Sequence, residues 1–122
     1  MTTAELKSRF RAFSVRIVKM VDKLPNTIAG RALGAQIIRS GTSPGANYNA
    51  ACIAKYDRDF INKLKMVEEE LDETIYWLDL IGATELIKPE LLVELDKEAK
   101  ELLSIIVKSI ITKRKKLSAT QL

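Results

Sequence analysis

Residues 30–54 read GRALGAQIIRSGTSPGANYNAACIA, and this stretch decides the fold that the sequence predicts. Taken as one helix at about 100° per residue, it has one face of small side chains and an opposite face of apolar ones. The small face holds Ala32, Ala35, Gln36, Arg39, Ser43, Ala46, Asn47, Ala50 and Ala54, and the apolar face holds Leu33, Ile37, Ile38, Tyr48 and Cys52. A helix that is apolar on both sides is usually buried on both sides.

A second copy of the chain is expected to cover one of these two faces. With 122 residues, the chain can hardly cover both sides of one helix by itself, so the pattern predicts a homo-oligomer. The candidate interface residues are Leu33, Ile37, Ile38, Tyr48 and Trp77.

The same stretch contains an interruption between Gly41 and Gly45. Pro44 has no N–H to donate to the carbonyl of Ser40, and its ring crowds that carbonyl. The helix can kink here, or it can stop and restart with Ser43 as its cap and Pro44 as its first residue. The small-residue face stays in phase across the interruption, which favours one nearly continuous helix, kinked near Pro44.

Apolar residues at three- and four-residue spacing predict three further helices. These cover residues 3–24, residues 58–81 and a last helix that starts at Pro89 and frays in residues 113–116. Thr3 and Asp57 are the expected N-caps, and Gly82 is the expected end of the third helix. Four helices joined by short turns predict a single all-α domain over residues 1–122, an antiparallel up-down-up-down four-helix bundle.

The composition is that of a soluble globular protein, with 47% apolar and 30% charged residues. The single Cys52 excludes an intramolecular disulfide and fits a reducing compartment. The sequence shows no secretory signal and no apolar run near the ~20 residues that a membrane helix needs. The cytoplasm is therefore the expected location.

No enzyme is expected, because the chain contains no histidine. This removes the commonest general base and the commonest transition-metal ligand. No phosphate-binding or dinucleotide-binding glycine pattern is present either, so no catalytic residues, cofactor or metal are predicted. The acidic run of the third helix is interpreted as a solvated face, with acid–base chemistry as the alternative; it consists of Glu68, Glu69, Glu70, Asp72 and Glu73.

The third helix carries a core stripe and a polar stripe on its flank. The predicted core stripe is Phe60, Leu64, Val67, Leu71, Ile75 and Leu78. Arg39 is expected to point inward, where a guanidinium needs a carboxylate partner. We therefore predict a polar network of Arg39 with Glu70 or Glu73, joined by Asn47, that fixes the register of the helices.

Positive charge is concentrated at both ends of the sequence. The net charge is +4, made up of +4 in residues 1–24, +3 in residues 25–56, −5 in residues 57–82 and +2 in residues 83–122. The basic side chains form either a solvated face or a surface that contacts RNA or DNA phosphates. The candidates for phosphate contact are Arg9, Arg11, Arg16, Lys19, Arg31, Lys113, Arg114, Lys115 and Lys116. A protein partner, bound by an oligomeric scaffold or adaptor, is the alternative.

Two sequence blocks resemble a known bacterial family of four-helix bundles, whose founding members are encoded in intervening sequences of large-subunit ribosomal RNA genes. The blocks are QxxRSxxS-x-x-AN, starting at Gln36, and ExxET-x-x-WL, starting at Glu70. The supporting matches are residues 24–25, 50, 59–61 and 63–64. The Glu-Gly pair that usually follows the first block is replaced here by Asn49-Ala50-Ala51-Cys52.

The resemblance implies a ring of four-helix protomers, typically a pentamer. It brings no established enzymatic activity with it. In a related branch, which serves diversity-generating retroelements, the ring binds a reverse transcriptase and nucleic acid. The resemblance thus favours a non-enzymatic oligomer that associates with structured RNA or another nucleic acid.

Overall fold

The computed structural model describes residues 1–120 as four α-helices and one short 3-10 turn, with no strand in that range. Residues 121 and 122 of the predicted domain lie outside the described part. The helices are α1 (Thr3–Val21), α2 (Ile28–Cys52), α3 (Asp57–Ala83) and α4 (Val93–Thr120), and the 3-10 turn is Pro89–Leu91. The predicted all-helical fold with four helices is confirmed.

The N-cap of α1 is Thr2, and the prediction of Thr3 is wrong by one residue. The Thr2 hydroxyl accepts a hydrogen bond from the Glu5 backbone N–H at 3.1 Å, while the Glu5 carboxylate accepts one from the Thr2 N–H at 3.4 Å. This reciprocal pair requires a spacing of three residues, which only Thr2 has to Glu5. The helix ends at Val21, earlier than predicted, and the backbone N–H groups of Lys23 and Leu24 then bond three residues back, to Met20 and Val21, ahead of Pro25.

The second helix runs through Pro44 without a break, as the phase of its faces predicted. Its cap is Thr27, whose hydroxyl accepts from the Gly30 N–H at 3.0 Å. Around the proline, the hydroxyls of Thr42 and Ser43 donate to backbone carbonyls one turn earlier, at 2.6 and 2.7 Å. The alternative of a stop and restart at Ser43 is therefore excluded.

The boundaries of α3 differ from the prediction at both ends. Asp57 is the first helical residue and not the cap, and its carboxylate instead binds Lys113 of α4 at 2.8 Å. Gly82 is buried inside the helix and does not end it. The chain turns at Glu85, which has a left-handed φ of 57°.

The fourth helix continues through the basic residues 113–116, where the sequence predicted fraying. Two contacts hold this segment to the rest of the protomer. Lys113 binds Asp57, and the side chain of Leu117 packs against the core. These contacts stabilise helical turns that would be marginal on their own.

The four helices enclose one core. Each of α1, α2, α3 and α4 packs against the next, and α4 packs against α1, while within residues 1–120 the backbones of the diagonal pairs α1–α3 and α2–α4 stay more than 8 Å apart, measured between Cα atoms. The outer groove between α1 and α2 therefore lies on the opposite side of the protomer from the groove between α3 and α4. None of these helices is both long and apolar enough to cross a membrane, as far as the described residues extend.

The apolar face of α2 is covered within one protomer, so the prediction that the interface between copies lies on this face is wrong for its buried residues. Ile37 is 0% exposed and Tyr48 is 7% exposed in the single chain, and Leu33 is half-buried. These three candidate interface residues belong to the protomer core; Ile38 and Trp77 keep partial exposure.

Glycines let α1 approach α2 closely enough to cover that face. A Cβ at position 41 would lie only 2.8 Å from two side-chain carbons of Ile17, whereas one at position 45 would make an ordinary contact, 3.4 Å from Phe10. The small-residue face of α2, including Ala32, Ala35 and Arg39, is turned to solvent instead. The close packing of α1 on α2 therefore depends on the lack of a side chain at Gly41.

Candidate functional site

Three of the predicted basic residues lie on the outer side of α1. Arg11, Arg16 and Lys19 are exposed, opposite the buried stripe of this helix. At about 100° per residue they fall within an arc of about 140°. Within residues 1–120, none of the three takes part in an ion pair. Their charges therefore face solvent together and uncompensated.

Arg9 does not belong to this surface, although the sequence grouped it there. Its guanidinium binds Glu98 of α4 through two hydrogen bonds, one of them 3.1 Å from Nε to Oε2, and its Nη2 also donates to Glu101 at 2.9 Å. The hydrogen bond to Glu98 is the main reason why the pKa of Arg9 is raised. Arg9 thus joins α1 to α4 and has no free charge to offer a phosphate.

Two further candidates for phosphate contact, Arg31 and Lys113, bind polar groups of their own chain. Arg31 donates from Nη1 to the side-chain oxygen of Asn26 at 2.9 Å and to its carbonyl at 3.3 Å. Lys113 binds Asp57 and stands 5.8 Å from the centre of the Phe60 ring, within range of a cation–π contact.

The last turns of α4 carry the remaining candidates, Arg114, Lys115 and Lys116. All three are exposed and, in the described part of the chain, outside any ion pair. Because α4 remains helical through these residues, their side chains form a second basic surface next to the Lys113–Asp57 ion pair.

The structure places Arg39 against Glu73, one of its two predicted partners. Nη2 of Arg39 lies 3.0 Å from Oε1 of Glu73, and the same oxygen accepts from Nε1 of Trp77 at 3.2 Å. The side chain of Arg39 is 59% exposed, however, so the prediction that it points into the core is wrong. An ion pair this open to water contributes little stability.

Asn47 and Glu70 form a separate contact, in which Nδ2 donates to Oε1 at 2.7 Å. The buried polar link between α2 and α3 involves two residues that sequence reasoning missed. Ser40 and Thr74 are both 0% exposed, and their hydroxyl oxygens lie 3.0 Å apart. Thr74 also hydrogen-bonds to the backbone carbonyl of Glu70 at 2.8 Å. Its spacing from Leu71 and Leu78 could have shown that it belongs to the core stripe.

These polar groups join α2 to α3 through three side-chain contacts, Arg39–Glu73, Asn47–Glu70 and Ser40–Thr74. Among residues 1–120, every buried side-chain nitrogen or oxygen has a hydrogen-bond partner. No group of three or more possible metal ligands comes together in this range either. Cys52 is half-buried beside Tyr48, and the pKa of this tyrosine is raised to about 12, chiefly by burial. The exposed basic surfaces of α1 and α4 therefore remain the candidate functional site.

Comparisons with known proteins agree with this fold. The family model for the 23S rRNA-intervening sequence protein matches residues 3–108. A solved protein of unknown function from the S23 ribosomal protein family of Bacteroides thetaiotaomicron VPI-5482 is 36% identical, over 90% of this chain and 98% of its own, with a TM-score of 0.84. Among curated proteins, none matches this chain. The matched residues make up most of the sequence and include both motif blocks. The chain therefore belongs to the family of 23S rRNA-intervening sequence proteins.

Proposed function

We propose that this protein is a non-enzymatic homo-oligomer that binds structured RNA, or another nucleic acid, through its exposed basic surface. The observation that carries the proposal is the set of uncompensated charges on the outer side of α1, Arg11, Arg16 and Lys19. Cations that are not bound to carboxylates can release counterions from phosphates, and this is the main source of sequence-independent affinity for nucleic acid.

The oligomer is proposed as a ring of copies, a pentamer, as the family resemblance implies. Exposed apolar side chains support contact between copies. Ile53, Leu91 and Val93 are between 57% and 81% exposed in the single chain. Within each protomer we propose an antiparallel course of the helices. It is supported by the pairing of residue 39 with residue 73 and of residue 47 with residue 70, in opposite order along α2 and α3.

A salt titration of binding to a structured RNA tests the nucleic-acid part of the proposal. The test variant is Arg16→Gln/Lys19→Gln, and the matched control is Arg58→Gln/Lys65→Gln on α3. All four residues are exposed, and both variants lose two positive charges. We expect the wild-type affinity to fall steeply with salt and the test variant to reduce the slope of log K against log salt by about 2 for each copy that contacts the RNA.

The control variant should keep the wild-type slope. If both variants lose affinity equally, net charge and not the surface of α1 determines the binding. If the assembled wild-type protein binds no RNA even at low salt, the nucleic-acid role is wrong, and the adaptor for a protein partner becomes the better explanation.

A further inference from the structure

Tyr56 presents a free aromatic ring to solvent at the turn between α2 and α3. It is 66% exposed, makes no side-chain hydrogen bond to the start of α3 and, within residues 1–120, stacks on no other aromatic ring. The other two tyrosines differ. Tyr48 is buried and stacks on Phe10, with the ring centres 5.2 Å apart, and Tyr76 packs edge-on against Trp77 at 5.1 Å. The ring of Tyr56 therefore has no partner inside the described protomer.

Basic side chains surround this ring in space, although aromatic and basic residues do not alternate in the sequence. Lys55 directly precedes Tyr56 and is exposed. Asp57, which directly follows it, binds Lys113 at 2.8 Å and so brings the basic segment of α4 next to the tyrosine. Residues 114–116 follow Lys113 in the same helix and rise by no more than about 5 Å beyond it. We call Lys55, Tyr56 and residues 114–116 the tyrosine corner.

The positive charge of this corner is not neutralised by its acidic neighbours. Asp57 is paired with Lys113, and Asp59 lies 3.9 Å from Arg58. Four exposed cations stay outside any ion pair in the described part of the chain, namely Lys55, Arg114, Lys115 and Lys116. Proteins that bind single-stranded nucleic acid combine the same two elements, cations that contact phosphates and an aromatic ring on which a base stacks.

We infer that the tyrosine corner binds unpaired nucleotides of an RNA, with one base stacked on Tyr56 and the neighbouring phosphates held by Lys55 and residues 114–116. The inference rests on the proposed binding of nucleic acid and specifies which form of it is bound. A base inside a duplex is stacked on both of its faces, so it offers no face to a protruding ring. Bases in loops, bulges and single-stranded ends do offer one.

Stacking and phosphate contact change the binding in different ways. A stacked base adds affinity without releasing a counterion from a phosphate, so its loss lowers the affinity but keeps the salt dependence. The loss of a cation that contacts a phosphate reduces the salt dependence itself. Tyr56 and Lys55 are neighbours in the chain, and the two effects can therefore be measured at the same place.

The test compares two RNAs that have the same number of phosphates. One is a hairpin with a large loop of uridines, which stack only weakly on one another, and the other is a fully paired duplex. Tyr56→Ala removes the ring and Tyr56→Phe keeps it. Tyr76→Ala is the matched control, because Tyr76 is also exposed, at 56%, but lies beside Asp72 and Asp79. Fluorescence anisotropy measures each affinity over a range of salt, and circular dichroism and light scattering check that each variant keeps its helices and its mass.

We expect Tyr56→Ala to weaken binding of the hairpin by about tenfold, with the slope of log K against log salt unchanged. Its affinity for the duplex should stay that of the wild type. Tyr56→Phe and Tyr76→Ala should bind both RNAs like the wild type. Lys55→Gln should instead reduce the slope on the hairpin by about 1 for each copy that contacts it.

Three results would overturn the inference and leave the proposed binding of nucleic acid in place. Tyr56→Ala keeps the wild-type affinity for the hairpin, or it weakens the hairpin and the duplex equally, or Tyr76→Ala loses as much affinity as Tyr56→Ala does. A wild-type protein that binds neither RNA at low salt would refute the proposed function itself, and the inference with it.

Discussion

Replacing Gly41 by alanine should destabilise the protein, although the same change stabilises most helices. The new Cβ would lie 2.8 Å from Cγ1 and Cγ2 of Ile17 and 3.1 Å from its Cδ1, whereas carbon atoms in good contact are about 3.5–4.0 Å apart. Ile17 is 0% exposed and enclosed by the core, so it cannot turn away without displacing other side chains.

The size of the effect follows from two opposing contributions. Overpacking of a filled core costs about 1–3 kcal/mol, and exchanging glycine for alanine inside a helix gains about 1 kcal/mol. Gly41→Ala should therefore lower the free energy of unfolding by about 1 kcal/mol. Gly82→Ala is the matched control: Gly82 is also buried and helical, but its Cβ would lie 3.5 Å or more from the nearest atoms. That variant should be unchanged or more stable by up to about 1 kcal/mol.

Guanidinium unfolding followed by circular dichroism, at one fixed protein concentration, measures both changes. A double-mutant cycle with Ile17→Ala assigns the cause, since this substitution removes all three close carbons. In that background Gly41→Ala should become stabilising. If Gly41→Ala stabilises the wild type as much as Gly82→Ala does, the close approach of α1 and α2 is not what glycine provides at this position.

Three further predictions concern the other contacts within the protomer. Thr74→Val should lower the free energy of unfolding by about 1 kcal/mol in a denaturant titration, because it removes the buried hydrogen bond between α2 and α3 and leaves the Ser40 hydroxyl only its long contact with the Ile37 carbonyl, at 3.5 Å; an unchanged midpoint would contradict this. Burial raises the pKa of Tyr48 to about 12, so the folded state keeps a proton that the unfolded state loses above about pH 10. The free energy of unfolding should thus fall by about 1 kcal/mol by pH 11 and continue to fall until about pH 12. Tyr48→Phe should lack this part of the decline, and equal pH profiles would refute the assignment. A double-mutant cycle of Arg9→Met and Glu98→Gln should give a coupling of about 1 kcal/mol, since this two-bonded pair is only partly open to water; additive effects would show that it does not hold α1 to α4.

The number and type of the helices could be predicted from sequence, because periodic apolar residues and short turns are local signals. The three-residue spacing of Thr2 and Glu5 was also local evidence, and it would have identified the first cap. The core stripe of α3 was harder to predict. The structure buries Thr74 and leaves Ile75 half-buried, the reverse of the predicted order. Thr74 can be buried because its hydroxyl has two partners there, the Ser40 hydroxyl and the backbone carbonyl of Glu70.

The orientation of α2 could not be derived by counting apolar side chains. Its buried face includes Gly34 and Gly41, which have no side chain to contribute hydrophobicity and act by allowing α1 to approach. Arg39 was expected inside because it lies among small residues, yet those residues face solvent.

The choice among basic residues also depended on tertiary contacts. Arg9 and Lys113 bind acidic residues that are distant in the sequence, so no local pattern separates them from Arg16 or Lys19.

The most direct test of the whole account is the mass of the protein when it is bound to a structured RNA at low salt, measured by light scattering after size exclusion. We predict one complex in which the protein part has several times the protomer mass of 13.7 kDa and which separates into assembled protein and free RNA at high salt. Protein that elutes at 13.7 kDa, apart from the RNA, at low salt would contradict the account.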